Sequence, residues 1–232
     1  MASRLLRGGQ LIDKRYLYGL WTIIGAYAVL ILVLSLSLEP TPFRALFSES
    51  GPFERLSIAA WLLVALIVLV RIRPLRGRAL SFALLFALFA AREADWHKAF
   101  TADSLLKLNY YRQVPAPLIE KLFAATMALL LIGLLLYWIA VLSRWLWHKE
   151  VRRSLPGHLM ITGVGLLILG KFLDRAPAVI QDSLGITLAP WPGRLFSSFE
   201  EGLELLTPLL IAAAVWFNHN EQPFLNGRPR HP

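Results

Sequence analysis

The residues able to do chemistry in this chain are few and crowded. Arg92, Glu93, Asp95 and His97 fall close together, as do Lys171, Asp174 and Arg175, then Glu200, Glu201 and Glu204, while Glu54 opens another apolar stretch. Carboxylates with a histidine suit two kinds of work: oxygen-rich coordination of a divalent metal such as Mg, Mn, Ca or Zn, and general acid/base catalysis. For a metal the candidate ligands are His97, Glu54, Glu93, Asp174 and Glu204. For catalysis they are His97 as base, with Glu93, Asp95, Asp174 and Glu204 as acid/base partners. Arg92, Lys171 and Arg175, with Arg112 further along, are candidate holders of an anionic substrate group. Glu93 and His97 are four apart, so on a continuous helix they share a face.

Other chemistries drop out. The chain has no cysteine, which removes thiolate ligands, cysteine nucleophiles and disulfides together. Of the five histidines, His97 alone falls in the acid-bearing half, so one chain cannot supply a three-histidine zinc site. No G-x-S-x-G elbow, phosphate loop or H-E-x-x-H motif is present.

The elements that must position these groups are apolar. In 232 residues, 56% are hydrophobic and only 17% charged, and mean hydropathy is +0.56, a balance that excludes an ordinary soluble enzyme. Six stretches read as membrane helices, over 17–38, 52–70, 79–100, 118–142, 157–176 and 199–217, in one integral membrane domain spanning 1–232 and ending in a short tail, 218–232. The first follows basic residues as a signal peptide would, but its apolar run is too long and lacks a cleavage site, so it is expected to be retained.

Six crossings put both termini on one side. Arg4, Arg7, Lys14, Arg15, then Arg71, Arg73, Arg76, Arg78, then Arg144, Lys149, Arg152, Arg153, with Arg228 and Arg230, place most of the 24 Lys and Arg on that side. Only Asp13, Glu150 and Glu221 of the 15 acids accompany them. By the positive-inside rule that face, with both termini, is cytoplasmic. The net charge of +9 is then an orientation signal in contact with anionic lipid, and no nucleic-acid partner is expected. Composition and short connections suit a bacterial inner membrane.

The third, fifth and sixth stretches break the membrane rules. The uncharged run from Ala79 to Ala91 covers only about 20 Å of the ~30 Å hydrocarbon, and the run before Lys171 is shorter still. Charge at such depth is tolerated facing inward and paired. The expectation is an all-α bundle in which helices two, three, five and six enclose a polar cavity open to the outside, with helices one and four facing lipid.

A plainer explanation covers part of the cluster. Acids favour helix amino termini and bases carboxyl termini, and Ser198 with Glu201 matches a capping box. It fails for Glu93, Asp95 and Asp174, at the wrong ends, and for Glu204, too deep for a cap. Three functions stay open: a site binding or acting on a lipid or small polar molecule at the outer leaflet with a divalent metal, as a metal-assisted hydrolase or transferase would; a transporter or proton-coupled carrier, for which Thr207-Pro208 is a break in helix six; and a non-catalytic assembly protein. The connections over 100–117 and 176–198, with Arg112 and Arg194, are expected to be long outer loops above the cavity.

Overall fold

The structure is a computed structural model describing residues 14–48, 50–72, 77–96, 108–187 and 189–218, with only the backbone of 14, 108 and 109. These residues hold nine α-helices and no strand: α1 (Lys14–Ser37), α2 (Pro40–Leu46), α3 (Pro52–Arg71), α4 (Gly77–Glu93), α5 (Leu108–Gln113), α6 (Leu118–Trp147), α7 (Lys149–Arg152), α8 (Leu155–Leu184) and α9 (Pro190–Phe217).

Their ends follow local chemistry. Proline occupies the first turn of α2, α3, α8 and α9, where its missing N–H is not needed and its fixed φ favours the helix. Ser154 caps α8, its hydroxyl accepting from the Gly157 amide at 3.3 Å. At the other end Gly185, at φ +65°, takes the left-handed conformation that closes α8.

The packing centres on α9. It runs antiparallel to α8 and parallel to α3, and α1 lies against its third side; α3 pairs in turn with α4, and α4 touches α6. A β-carbon on Gly202 would come within 3.1 Å of Ile31, so glycine lets α1 approach closely, and Tyr27 there donates its hydroxyl to the Gly202 carbonyl at 2.8 Å. Between α3, α4 and α6 runs an aromatic stack, with Trp61 to Phe86 at 5.7 Å, Phe86 to Phe82 at 4.5 Å and Phe82 to Trp138 at 4.1 Å. Trp138 and Phe82 are buried, and such contacts add to plain area burial. At the basic end the Arg71 guanidinium lies 3.9 Å over the Trp216 ring and donates to the Trp216 carbonyl, tying α3 to α9.

Four helices are long and apolar enough to cross a membrane: α1, α3, α6 and α8. Of these α6 buries least and presents Phe123, Leu129, Leu130 and Leu136 outward, while α3, α4, α8 and α9 form the inner set. The two remaining stretches also form helices, but α4 has 17 residues, about 26 Å against ~30 Å of hydrocarbon, and α9 carries Glu200, Glu201 and Glu204 in its apolar run. These two helices carry Glu93, Glu200, Glu201 and Glu204, while Glu54 and Asp174 lie on α3 and α8.

Three expectations are corrected. The third helix ends at Glu93, not near residue 100; the chain turns through Ala94 and Asp95, the latter at φ +53°. Glu93 and His97 therefore do not share a continuous helix, and His97 itself lies outside the described residues. The outer connection over 176–198 is mostly helix, because α8 runs on to Leu184 and α9 starts at Pro190. The other long connection contains α5, with 97–107 outside the described residues.

Candidate functional site

The longer helices change what the charges can mean. Ser198 is not a cap: α9 starts eight residues earlier after Ala189, and the Ser198 hydroxyl donates to the Leu195 carbonyl at 3.2 Å. Glu200 and Glu201 thus sit several turns inside α9, and Lys171, Asp174 and Arg175 sit inside α8, where the helix dipole, confined to the terminal turn, explains none of them.

What they do is meet. Lys171 of α8 donates to Glu204 of α9, with Nζ 2.5 Å from Oε1. The Glu93 carboxyl of α4 comes within hydrogen-bonding reach of Glu204 and accepts from Arg92 at 2.9 Å. Glu200 and Asp174 are paired in the same way. Glu204, Glu200, Glu54 and Glu93 all lie close enough to Glu201 to act on it electrostatically. Carboxyl groups this close are held only by positive charge or a proton between them. The side chains of Glu93 and Glu204 are 11% and 13% exposed, against 36% for Lys171, so the acids are enclosed and the base reaches in from the edge.

Below this layer α9 contains Pro208. Proline has no N–H, so the carbonyl four residues back, that of Glu204, loses its helical partner. Ser57 of α3 replaces it, its buried hydroxyl donating to the Glu204 carbonyl at 3.0 Å. Next to the proline, Thr207 is fully buried and its hydroxyl has no partner. Thr207 lies on the α9 face toward α8, where Gly163 packs on its backbone carbonyl, one turn below the Lys171–Glu204 pair.

The structure thus brings Glu54, Glu93, Arg92, Lys171, Asp174 and Glu204 together at one end of the bundle. Arg175 stands at the rim, exposed and 4.0 Å from Asp174. Asp95 follows α4 in the turn. Arg112 is exposed on α5, whose hydrogen bonds run to the start of α6: the Tyr110 hydroxyl donates to Glu120 at 2.6 Å, and Lys121 donates to the Tyr111 carbonyl at 3.2 Å. The Glu120 bond, with burial and the neighbouring charge, pushes the Tyr110 phenol up to about 12. Arg194, expected in an outer loop above the cavity, lies in α9 and reaches the end of α1 instead, donating to the Leu38 carbonyl and lying 4.3 Å over the Phe43 ring. Among the described residues no three His, Asp or Glu side chains are gathered closely enough to hold a metal ion.

Glu200, Glu201 and Ser57 were not singled out as site residues by the sequence. A capping motif at Ser198 concealed the first two, and a lone serine in an apolar helix gives no signal until its partner carbonyl is known.

No family model, curated protein or solved structure matches the chain. Fold and site together define a class: an all-helical chain with four helices fit to cross a bilayer and an enclosed patch of carboxyls at one end of the bundle.

Proposed function

We propose that this is a multi-pass protein of a bacterial inner membrane, crossing six times with both termini cytoplasmic, whose carboxyl patch faces the periplasm and binds a lipid or small polar molecule through a divalent cation. The carrying observation is the charge balance. Glu93 and Glu204 meet Arg92 and Lys171, Asp174 lies 4.0 Å from Arg175, and Glu200 and Glu201 lie beside them; so many acids in a poorly hydrated layer call for positive charge or protons between them.

Depth supports the reading. Counted from Phe217 at the basic end, Glu204 lies about 20 Å along α9, some 10 Å short of the opposite surface of a ~30 Å core. The candidate donors for the cation are Glu54, Glu93, Asp174 and Glu204, with His97 an expectation from the sequence alone. Arg92, Arg175 and Arg112 would face an anionic group of the bound molecule. A metal-assisted hydrolase or transferase follows only if a cation is bound.

The test is Mn²⁺ binding to the purified full chain in detergent, comparing wild type with Glu204→Gln. Saturable binding that Glu204→Gln abolishes supports the site; no binding by wild type overturns it.

A carrier is the second reading, favoured by the Pro208 break below Glu204. Against it, the layer beyond Thr207 is packed with Val64, Val68, Phe82 and Ala214, all buried, so no polar path continues to the basic end through α3, α4 and α9. Cation flux in proteoliposomes would favour the carrier.

A further inference from the structure

On the side of α9 that faces α1, an apolar groove of about 230 Å³ runs between the two helices, lined by Ile24, Ala28 and Ile31 of α1 and by Phe199, Leu203 and Leu206 of α9. We propose that this groove seats one acyl chain of a membrane phospholipid whose phosphate is held by Arg194 at the end of α1. The inference rests on α1 crossing the bilayer and is independent of cation binding at the carboxyl patch.

Depth fits the occupant. The 23 residues of α1 from Arg15 to Ser37 cover about 35 Å against ~30 Å of hydrocarbon, so the Leu38 end lies at the level of lipid headgroups. From Leu38, Ile31 is about 10 Å and Ile24 about 21 Å down the helix, which keeps the groove within hydrocarbon and within the reach of one leaflet's chains. Gly202 lines the groove without a side chain to fill it, and Tyr27 has its hydroxyl committed to the Gly202 carbonyl. What remains for a ligand is apolar surface.

Charge supplies the headgroup end. Arg194 is fixed there by its bond to the Leu38 carbonyl and by the Phe43 ring beneath its guanidinium, so little side-chain freedom is left to lose on binding. Among the described residues no carboxylate pairs with it, and its Nε has no hydrogen-bond partner. Glu39, next to Leu38 in the chain, is exposed and makes no ion pair with it. Arg44, exposed next to Phe43 in α2, adds a second positive charge. An arginine fork that no protein acid answers is suited to phosphate, and at headgroup depth every phospholipid presents one.

The experiment is titration of the delipidated full-length protein in detergent with dioleoylphosphatidylglycerol, bound lipid being counted by native mass spectrometry. Wild type, Arg194→Gln, Ala28→Phe and Arg144→Gln are compared, each checked for helicity and thermal unfolding. Wild type should take up one lipid saturably. Arg194→Gln, which removes the charge, and Ala28→Phe, which fills the groove, should each weaken that binding about tenfold. Arg144→Gln, at an exposed site on the basic end, should leave it unchanged. Dioleoylglycerol, which lacks the phosphate, and inorganic phosphate, which lacks the chains, should each bind about tenfold or more weaker than the phospholipid. If Arg194→Gln fails to fold, dioleoylglycerol decides the phosphate contact and Ala28→Phe decides the groove. Equal losses from Arg194→Gln and Arg144→Gln, inorganic phosphate binding as tightly as lipid, or lipid binding that Ala28→Phe leaves intact overturns the proposal. A dimer that Ala28→Phe dissolves would give the groove to a second copy of the chain and overturn it as well.

Discussion

Ser57 and Thr207 are both hydroxyls buried near the Glu204 turn of α9, yet removing them should have opposite consequences. Ser57→Ala strands the Glu204 carbonyl, which Pro208 has already deprived of its helical bond, and should cost about 1–3 kcal/mol in unfolding experiments. Thr207→Val replaces an unpartnered hydroxyl with a methyl of the same shape, and in cation-free buffer should be neutral or stabilising. Equal losses from the two would refute the hydrogen-bond assignment. A third residue gives a pH signature. Tyr110 is raised from 10.0 to about 12, chiefly by donating to Glu120. A phenol held neutral in the folded state stabilises fully below its unfolded value, and that contribution falls as pH rises from about 10 to about 12. Tyrosinate absorbance of Tyr110→Phe should therefore lose one late-titrating component relative to wild type, and this variant should lose the corresponding alkaline decline in stability.

At the scale of the element, α9 concentrates the argument because it packs on α8, α3 and α1 at once. Gly202→Val should push α1 away through its 3.1 Å approach to Ile31, costing about 1–3 kcal/mol as overpacking does, read as a lowered unfolding temperature. Pro208 and Ser57 should be coupled. With Pro208→Ala the helix supplies its own N–H to the Glu204 carbonyl, so Ser57→Ala in that background should cost far less than in wild type; additive losses would contradict the compensation. Most elements are legible from hydropathy, and the starts at Pro52, Leu118 and Leu155 lie at or near their expected places. The failures share a cause. In α8 and α9 charged residues interrupt the apolar run and read as helix ends, whereas pairing across the two helices carries each helix straight through its charges. In α4 the reverse occurred: Asp95 leaves the helix in a left-handed turn that no periodicity reveals. Pairings such as Lys171 with Glu204 are long-range facts, and charge spacing along one helix suggests a shared face without naming the partner.

At the scale of the whole molecule, charge and apolarity are sorted along one axis. Arg71 and Trp216 clasp one end, the aromatic stack from Trp61 to Trp138 fills the middle, and the carboxyl patch occupies the other end beside the helical hairpin of α8 and α9. The proposal that this patch faces the periplasm is the claim from which the functional reading follows, since a cation supplied from outside must reach it. The chain contains no native cysteine, so single cysteines report cleanly. Ser183→Cys lies by the α8–α9 connection at the acidic end, and Arg153→Cys lies by the α7–α8 connection at the basic end. In intact cells, a membrane-impermeant maleimide should label Ser183→Cys and leave Arg153→Cys unlabelled until the membrane is opened; labelling of Arg153→Cys with protection of Ser183→Cys would contradict the orientation and the periplasmic site with it.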